Sequence, residues 1–237
     1  ENYTKHDQGV WKLLFDRQIT QLPELASNAY INGIALAGLV AERIPNFTME
    51  LNPRLQQQTG WEVVVVPGLI PVEDFFKLMS SRKFPSSTWL RKENQLDYLE
   101  EPDMFHDTFG HVPLLTNQAF CDFLAKLSKI ALDYIDNEEA ILQLQRLYWY
   151  TVEFGLIQES DGLRIYGAGI LSSGGESVYS LESDIPERVP FNIDEIMETP
   201  IIKDKFQAKY FIIESYKELY DAIGKIAETL EKNITVQ

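Results

Sequence analysis

The feature that most constrains this chain is the placement of its histidines. Only three occur in 237 residues, and two of them, His106 and His111, lie five positions apart in the segment EPDMFHDTFGHVPLL. Five residues along a regular α-helix rotate a side chain by about 500°, which leaves the two imidazoles roughly 140° apart and unable to reach one ion. Gly110 suits a position just past a helix end, and Pro113 opposes simple continuation of the helix. We therefore predict that the helix breaks at Gly110 and that the imidazoles converge there.

Glu153 is the candidate for a third ligand. It lies in the apolar and aromatic run 148–156, where an unpaired carboxylate would be costly to bury and so needs a partner. One candidate partner is Arg146, seven residues earlier and on nearly the same helical face. The other is a cation held by His106 and His111, because two histidines and one carboxylate form the ligand set of non-haem Fe(II) oxygenases. Spacing alone leaves both open, as it does a purely structural role for the two histidines.

Charge and composition limit the classes of partner. The 36 acidic residues against 21 basic ones give a formal charge of -15, which disfavours nucleic acid and anionic membranes as partners. No apolar run approaches the roughly 20 residues that would span a bilayer. The single cysteine, Cys121, cannot form an internal disulfide, so we expect a reducing compartment, the cytoplasm. Length and a hydrophobic fraction of 45% fit one globular domain.

Hydrophobic periodicity predicts a mainly α-helical fold with a few short β-strands, an α+β class. Helical patterns cover 8–44 with an interruption at Pro23, 46–59, 73–81, most of 102–153, 174–181 and 216–232. Extended segments are predicted at 62–66, 87–91, 96–99, 163–166 and 209–213.

Three segments together resemble the pterin-dependent aromatic amino acid hydroxylases, and in particular their short bacterial members that act on phenylalanine. They are EPDMFHDTFGHVPLL at 101–115, LYWYTVEFGL at 147–156 and YGAGILSSGGE at 166–176. They stand in the order and spacing of that family, and fainter similarity extends over most of the chain. The resemblance implies the catalytic-domain fold of the family and a mononuclear Fe(II) held by His106, His111 and Glu153.

The resemblance also implies roles for residues that their types alone would not single out. The implied pterin-binding residues are Leu69, Ile70, Phe75, Asp107 and Tyr148, and the implied substrate-binding residues are Arg91, Trp149 and Ser172. Arg91 would bind the substrate carboxylate, for which a planar guanidinium is well matched. Without the resemblance, Phe75 and Trp149 would be interpreted as core residues and Arg91 as a surface arginine. Ser172, Asp107 and Tyr148 would be interpreted as ordinary cap or turn residues.

The activity implied is hydroxylation of L-phenylalanine to L-tyrosine, with Fe(II), a tetrahydropterin and O2. Within the same family, a tryptophan hydroxylase is the alternative. Trp149 counts against it, because tryptophan-specific members tend to carry phenylalanine there. A zinc hydrolase with the same three ligands and a non-catalytic protein are the alternatives from other classes.

The implied organisation is a single catalytic domain over residues 1–237, without a regulatory domain or a tetramerising helix. We accordingly expect a monomer or a dimer. The expected partners are a small aromatic amino acid and, in the same pathway, enzymes that recycle the pterin.

Overall fold

The computed structural model describes residues 3–96 and 101–235 and confirms a mainly helical fold with short strands. Its α-helices are α1 Lys5–Leu25, α2 Asn28–Ala37, α3 Asn52–Gln58, α4 Val72–Ser80, α5 Gln118–Asp133, α6 Glu138–Tyr148, α7 Ala168–Leu171, α8 Gly174–Glu182, α9 Ile193–Glu198, α10 Tyr216–Asp221 and α11 Ile223–Thr235. The predicted interruption at Pro23 is wrong, since Pro23 lies inside the last turn of α1. The chain turns instead at Ala26, and the Ser27 side chain caps α2.

The strands form two small sheets. Strands β1 Glu62–Val65 and β2 Lys83–Ser86 pair in parallel, and β3 Leu156–Glu159, β4 Gly162–Ile165, β5 Glu187–Pro190 and β6 Lys209–Ile213 form a sheet in the order β4-β3-β6-β5. The prediction missed β2, β3, β5, α7 and α9, and the segment 87–91 is not a strand. Pro85 weakens the strand signal of β2. Most of the predicted segment 96–99 lies outside the described residues.

A cluster of aromatic side chains lies between α1 and the segment that carries the two histidines. The Phe105 and Phe109 rings stack with their centroids 4.8 Å apart, and Trp11 meets Phe105 edge to face at 5.4 Å. All three side chains are fully buried, so each removes a large apolar surface from water. The histidine segment is thereby anchored on its inner side by the core.

Among the described residues, no helix combines the length and the apolar character that crossing a lipid bilayer requires.

Candidate active site: a two-histidine, one-carboxylate cluster

The two histidines occupy the first and last positions of a π-helical segment, His106–His111. A π-helix closes its hydrogen bonds between residues five apart, so residues with this spacing lie on the same face. The predicted helix break at Gly110 is therefore wrong. Gly110 lies within the π-helical segment and does not have a positive φ. A 3-10 segment, Val112–Thr116, follows directly, with Pro113 in its first turn.

Gly110 is needed for close packing instead. A Cβ atom at this position would lie 3.0 Å from the Ala168 carbonyl oxygen and 3.2 Å from the Ala168 Cβ. The absence of a side chain thus lets α7 pack directly on the histidine segment. Because Ser172 caps the end of α7, this contact also sets the distance from Ser172 to the histidines.

A second π-helical segment, Trp149–Glu153, continues α6 and ends at the third ligand. Its wider turn is visible in the bond from the Phe154 N–H to the Trp149 carbonyl, five residues back. Arg146 does not compete for the carboxylate, since its guanidinium donates to the Met197 carbonyl. Of the two candidate partners for Glu153, the structure brings the histidines to it.

The three side chains meet with their donor atoms close together. The Nε2 atoms of His106 and His111 are 3.1 Å apart, and Glu153 places Oε1 3.1 Å from the His111 Nε2 and Oε2 3.5 Å from the His106 Nε2. Ligand atoms about 2.1 Å from one ion would be separated by about 3.0 Å at right angles and about 3.4 Å at tetrahedral angles. The separations therefore fit one metal ion bound by all three side chains.

The hydrogen bonds of Ser172 define which nitrogen of His106 carries the proton. Its hydroxyl donates to the Ala168 carbonyl at 2.9 Å and lies 2.8 Å from the His106 Nδ1. Because the single hydroxyl hydrogen is used on Ala168, the His106 Nδ1–H must donate to the Ser172 oxygen. The His106 Nε2 then presents a lone pair to the cluster, as a metal ligand requires.

Burial and charge favour the same protonation states. Burial lowers the pKa of His106 to about 4, against the opposing effect of the nearby Glu153 carboxylate. Burial alone would raise the pKa of Glu153, but the neighbouring His111 and His106 outweigh it and the pKa is lowered. A neutral imidazole and an ionised carboxylate are the forms that bind a metal. The donor set fits a divalent cation.

The cluster lies in the wall of a cavity of about 360 Å³, within the size range of small-molecule sites. Of the eleven predicted site residues, nine line this cavity: His106, His111, Glu153, Leu69, Ile70, Phe75, Asp107, Tyr148 and Trp149. Two of the predicted pterin-binding residues contact each other, since the Phe75 ring meets the Tyr148 ring edge to face at 5.4 Å. Leu69 is exposed at the rim.

Asp107 and Arg91 are both tied to neighbouring segments. The Asp107 Oδ2 accepts from the backbone N–H of Ser87 at 2.8 Å, and burial raises the pKa of Asp107 to about 6. Arg91 is 6% exposed, so it is not a surface arginine. Its Nε and Nη2 donate to the two carboxylate oxygens of Asp103, at 2.9 and 2.8 Å.

Arg91 and Ser172 do not belong to the described cavity lining, although each contacts a residue beside the cluster. Ser172 bonds to His106, and Arg91 reaches the histidine segment through Asp103. The Asp103 Oδ1 also accepts from the His106 backbone N–H at 3.0 Å. The arginine is thereby fixed relative to the first metal ligand.

Sequence reasoning missed several residues of the site. Asp103 had a usable signal, since an acid three residues before a helical N–H is a capping pattern. Phe84, whose ring centroid lies 4.7 Å from that of His111, sits on the unpredicted strand β2. Ile201 and Lys203 line the cavity from an irregular loop, for which neither periodicity nor spacing gives a signal.

Comparison with known proteins supplies the family. The family model described as biopterin-dependent aromatic amino acid hydroxylase matches residues 1–237. A phenylalanine-4-hydroxylase from Ralstonia nicotianae is 48% identical over 220 residues, which cover 93% of this chain and 70% of that protein. The phenylalanine-4-hydroxylase from Chromobacterium violaceum is 48% identical over 222 residues, which cover 94% of this chain and 74% of that protein.

Solved structures agree with the sequence matches. The C. violaceum phenylalanine hydroxylase with bound oxidised Fe(III) superposes with a TM-score of 0.94 at 46% identity, covering 99% of this chain and 84% of that one. The same enzyme with bound iron(III) and the oxidised cofactor 7,8-dihydrobiopterin gives a TM-score of 0.92, and the match covers 98% of this chain and 84% of that one. The resemblance and the fold class inferred from the sequence are confirmed. The chain belongs to the biopterin-dependent aromatic amino acid hydroxylases.

Proposed function

We propose that this protein hydroxylates L-phenylalanine to L-tyrosine, using O2, Fe(II) and a tetrahydropterin. The observation that carries the proposal is the convergence of His106, His111 and Glu153 on one wall of an aromatic cavity, with both imidazoles and the carboxylate available as ligands. Two histidines and one carboxylate leave positions open on a six-coordinate iron, where O2 can react. Family membership decides against the zinc hydrolase and the non-catalytic alternatives.

When bound, iron and a tetrahydropterin would activate O2 and supply two electrons, so that one oxygen atom replaces a ring hydrogen and the other leaves on the oxidised pterin. The residues of the chain bind and orient. His106, His111 and Glu153 hold the iron, Ser172 fixes the His106 tautomer, and the Phe84 ring packs against His111. The cavity walls exclude water from the reacting atoms.

For the pterin we propose the side of the cavity formed by Leu69, Ile70, Phe75, Asp107 and Tyr148. Phe75 offers an aromatic face for stacking, and its contact with Tyr148 restrains its orientation. Asp107 is held by Ser87 and can accept hydrogen bonds from the N–H groups of a pterin ring.

For the amino acid substrate we propose Arg91, Trp149 and Ser172. Asp103 and the Leu96 carbonyl occupy three of the five N–H groups of the Arg91 guanidinium, which leaves two for a carboxylate. Because Asp103 fixes the guanidinium, little side-chain entropy remains to be lost when substrate binds. Trp149 would supply the apolar wall for the ring.

We further propose that the protein acts in the cytoplasm as a monomer or dimer, alongside enzymes that recycle the oxidised pterin. The single cysteine supports a reducing compartment. Cys121 is buried, and burial raises the pKa of its thiol to about 12, so it has no reactive thiolate.

The test is tyrosine formation by the purified protein with Fe(II), tetrahydropterin and O2. We expect a product from phenylalanine that requires both iron and pterin, and a lower kcat/KM with tryptophan. Replacement of iron by zinc should abolish the reaction. No hydroxylated product from phenylalanine, tryptophan or tyrosine would overturn the proposal, and a preference for tryptophan would overturn the substrate assignment.

A further inference from the structure

The loop at residues 199–208 joins α9 to β6 and forms part of the cavity wall. It contains no helix or strand, yet it supplies Ile201 and Lys203 to the lining. A loop without regular structure keeps its shape only where its backbone groups find other partners. The bonds that hold this loop therefore determine the shape of that side of the cavity.

Gln207 makes three hydrogen bonds at the end of this loop. Its side-chain Oε1 accepts from the Trp149 indole N–H at 3.2 Å, and its Nε2 donates to the Ile202 carbonyl at 2.9 Å. Its backbone N–H donates to the Glu176 Oε1 at 3.1 Å. Gln207 is 1% exposed, so a lost partner would not be replaced freely by water.

Glu176 fixes the position of the Gln207 backbone through this hydrogen bond. This carboxyl group is 6% exposed, and the same Oε1 also accepts from the Tyr210 hydroxyl at 2.7 Å. Tyr210 belongs to β6, one of the two inner strands of the larger sheet, and Glu176 belongs to α8. The Gln207 backbone is thus held by α8 through Glu176, and Glu176 is in turn held by β6 through Tyr210. The Gln207 side chain extends toward Trp149 and Ile202.

The two side-chain bonds require an amide. One atom must accept from an indole N–H, which only donates, while the other donates to a carbonyl, which only accepts. A leucine of similar size would make neither bond. An ionised glutamate would keep the indole bond but would direct a second oxygen at the Ile202 carbonyl.

We propose that Gln207 is a positioning residue for the amino acid substrate, because it joins the Trp149 indole to the loop that carries Ile201 and Lys203. This inference rests on the proposed function, since it takes Trp149 as a wall of the substrate pocket. Gln207 sets the spacing between Trp149 and the loop, and through that spacing it sets the fit of the aromatic ring.

The test compares Gln207→Leu with Gln143→Leu. Gln143 is a matched control because it is also buried and hydrogen-bonded through its amide, to Glu139 and Asn233, but lies outside the described cavity lining. For Gln207→Leu we expect the KM for phenylalanine to rise about fivefold or more, from the loss of two hydrogen bonds. The phenylalanine-to-tryptophan ratio of kcat/KM should fall. Iron content and the KM for tetrahydropterin should remain unchanged, and Gln143→Leu should leave all four quantities unchanged.

A double-mutant cycle with Trp149→Phe isolates the indole bond. Phenylalanine lacks the N–H that Gln207 accepts, so the effects of Gln207→Leu and Trp149→Phe on KM should be less than additive. Trypsin provides a readout that does not depend on turnover. Lys203 and Lys205 are exposed in the loop, and cleavage there should be faster in Gln207→Leu than in the wild type or Gln143→Leu.

If Gln207→Leu does not fold, Gln207→Glu is measured in its place. We then expect faster trypsin cleavage at the loop than in the wild type, and a rise in the KM for phenylalanine that is smaller than the one expected for Gln207→Leu. The inference is overturned if folded Gln207 variants lose thermal stability but keep the wild-type KM for phenylalanine and the wild-type substrate ratio. Fully additive effects in the cycle would also overturn it. An inactive wild type with bound iron would instead contradict the proposed function, so the two failures are distinguishable.

Discussion

Two walls of the same cavity are built in different ways. The ligand wall consists of the π-helical segments His106–His111 and Trp149–Glu153, whose backbone bonds lie within the chain segment and whose inner faces pack on the core. The loop wall, residues 199–208, depends on a few side chains such as Gln207. Metal coordination needs ligand positions accurate to fractions of an ångström, whereas substrate choice can change with the loop. We therefore expect the metal ligands to be held more rigidly than the loop that borders the proposed substrate pocket.

The largest expected effect comes from removing a ligand. Glu153→Gln keeps the size of the side chain but replaces an anionic ligand with a neutral amide. Loss of a residue that only hydrogen-bonds a ligand lowers metal affinity by about 10–100-fold, so loss of this ligand should lower Fe(II) affinity further. Activity should fall with it, while the melting temperature stays near the wild-type value. Iron content after desalting and thermal unfolding measure the two quantities.

Glu159→Gln on β3 is the matched control for Glu153→Gln, because its carboxylate bonds to Asn28 away from the cavity. It should keep wild-type iron binding. Undiminished iron binding in Glu153→Gln would show that the ligand wall does not hold a metal through this residue.

A smaller effect is expected at the hydroxyl that orients a ligand. Ser172→Ala removes the acceptor of the His106 Nδ1–H, which should lower Fe(II) affinity by about 10–100-fold. Titration of the apoprotein with Fe(II) measures the change. Ser128→Ala is the control, since its buried hydroxyl makes the same kind of bond, to the Leu124 carbonyl. Equal iron affinities in the two variants would contradict the orienting role.

Gly110→Ala tests why a glycine stands between the histidines. An alanine in a helix gains about 1 kcal/mol over glycine, but overpacking against Ala168 costs about 1–3 kcal/mol. We expect net destabilisation, a melting temperature lower by about 2–4 °C for each kcal/mol, and weaker iron binding as α7 shifts. Gly9→Ala, which meets no atom within 4 Å, should be neutral or stabilising. Stabilisation by Gly110→Ala would mean that α7 yields to the added methyl group.

The sequence predicts the chemistry of the ligand wall better than its geometry. The residue types in 101–115 and 147–156 identify the three ligands through the family pattern. On a regular α-helix, a spacing of five residues points two side chains in different directions, and the predicted break at Gly110 followed from that geometry. Whether a segment closes its bonds over four or five residues depends on packing, here against Ala168, 58 positions away in the sequence. Gly110 permits that contact, but its residue type does not identify the distant partner.

The individual residues of the loop wall could not be named from the sequence, for a different reason. Ile201 and Lys203 have no periodic pattern, and the partners that hold their loop are distant in the chain, such as Trp149, 58 residues before Gln207. Single sequences give little information on such pairs. The short strands β3 and β5 were also missed, and each is only four residues long. β5 is defined by its pairing with β6, whereas β3 pairs along its whole length with its neighbour β4 and at two positions with β6.

The smallest expected effect concerns Glu176, whose carboxylate holds Gln207 at the end of the loop wall. Burial raises the pKa of this carboxyl above its usual value, despite the bonds from Tyr210 and Gln207 that favour the ionised form. A raised folded-state pKa means that the folded protein binds this proton more tightly than the unfolded chain does. Its contribution to stability is therefore complete below the unfolded pKa and is lost as pH rises through the folded pKa.

Glu176→Gln removes this titration and keeps an oxygen acceptor for Tyr210 and Gln207. As pH rises from about 4.5, near the unfolded value for a glutamate, the wild type should lose stability relative to the variant, until Glu176 is ionised in both states. Urea unfolding of both proteins between pH 4.5 and 8 measures the difference in unfolding free energy. A difference that does not change with pH would mean that Glu176 titrates alike in the folded and unfolded chain. Glu176 would then anchor the loop wall through Gln207 without the energetic cost of a buried charge.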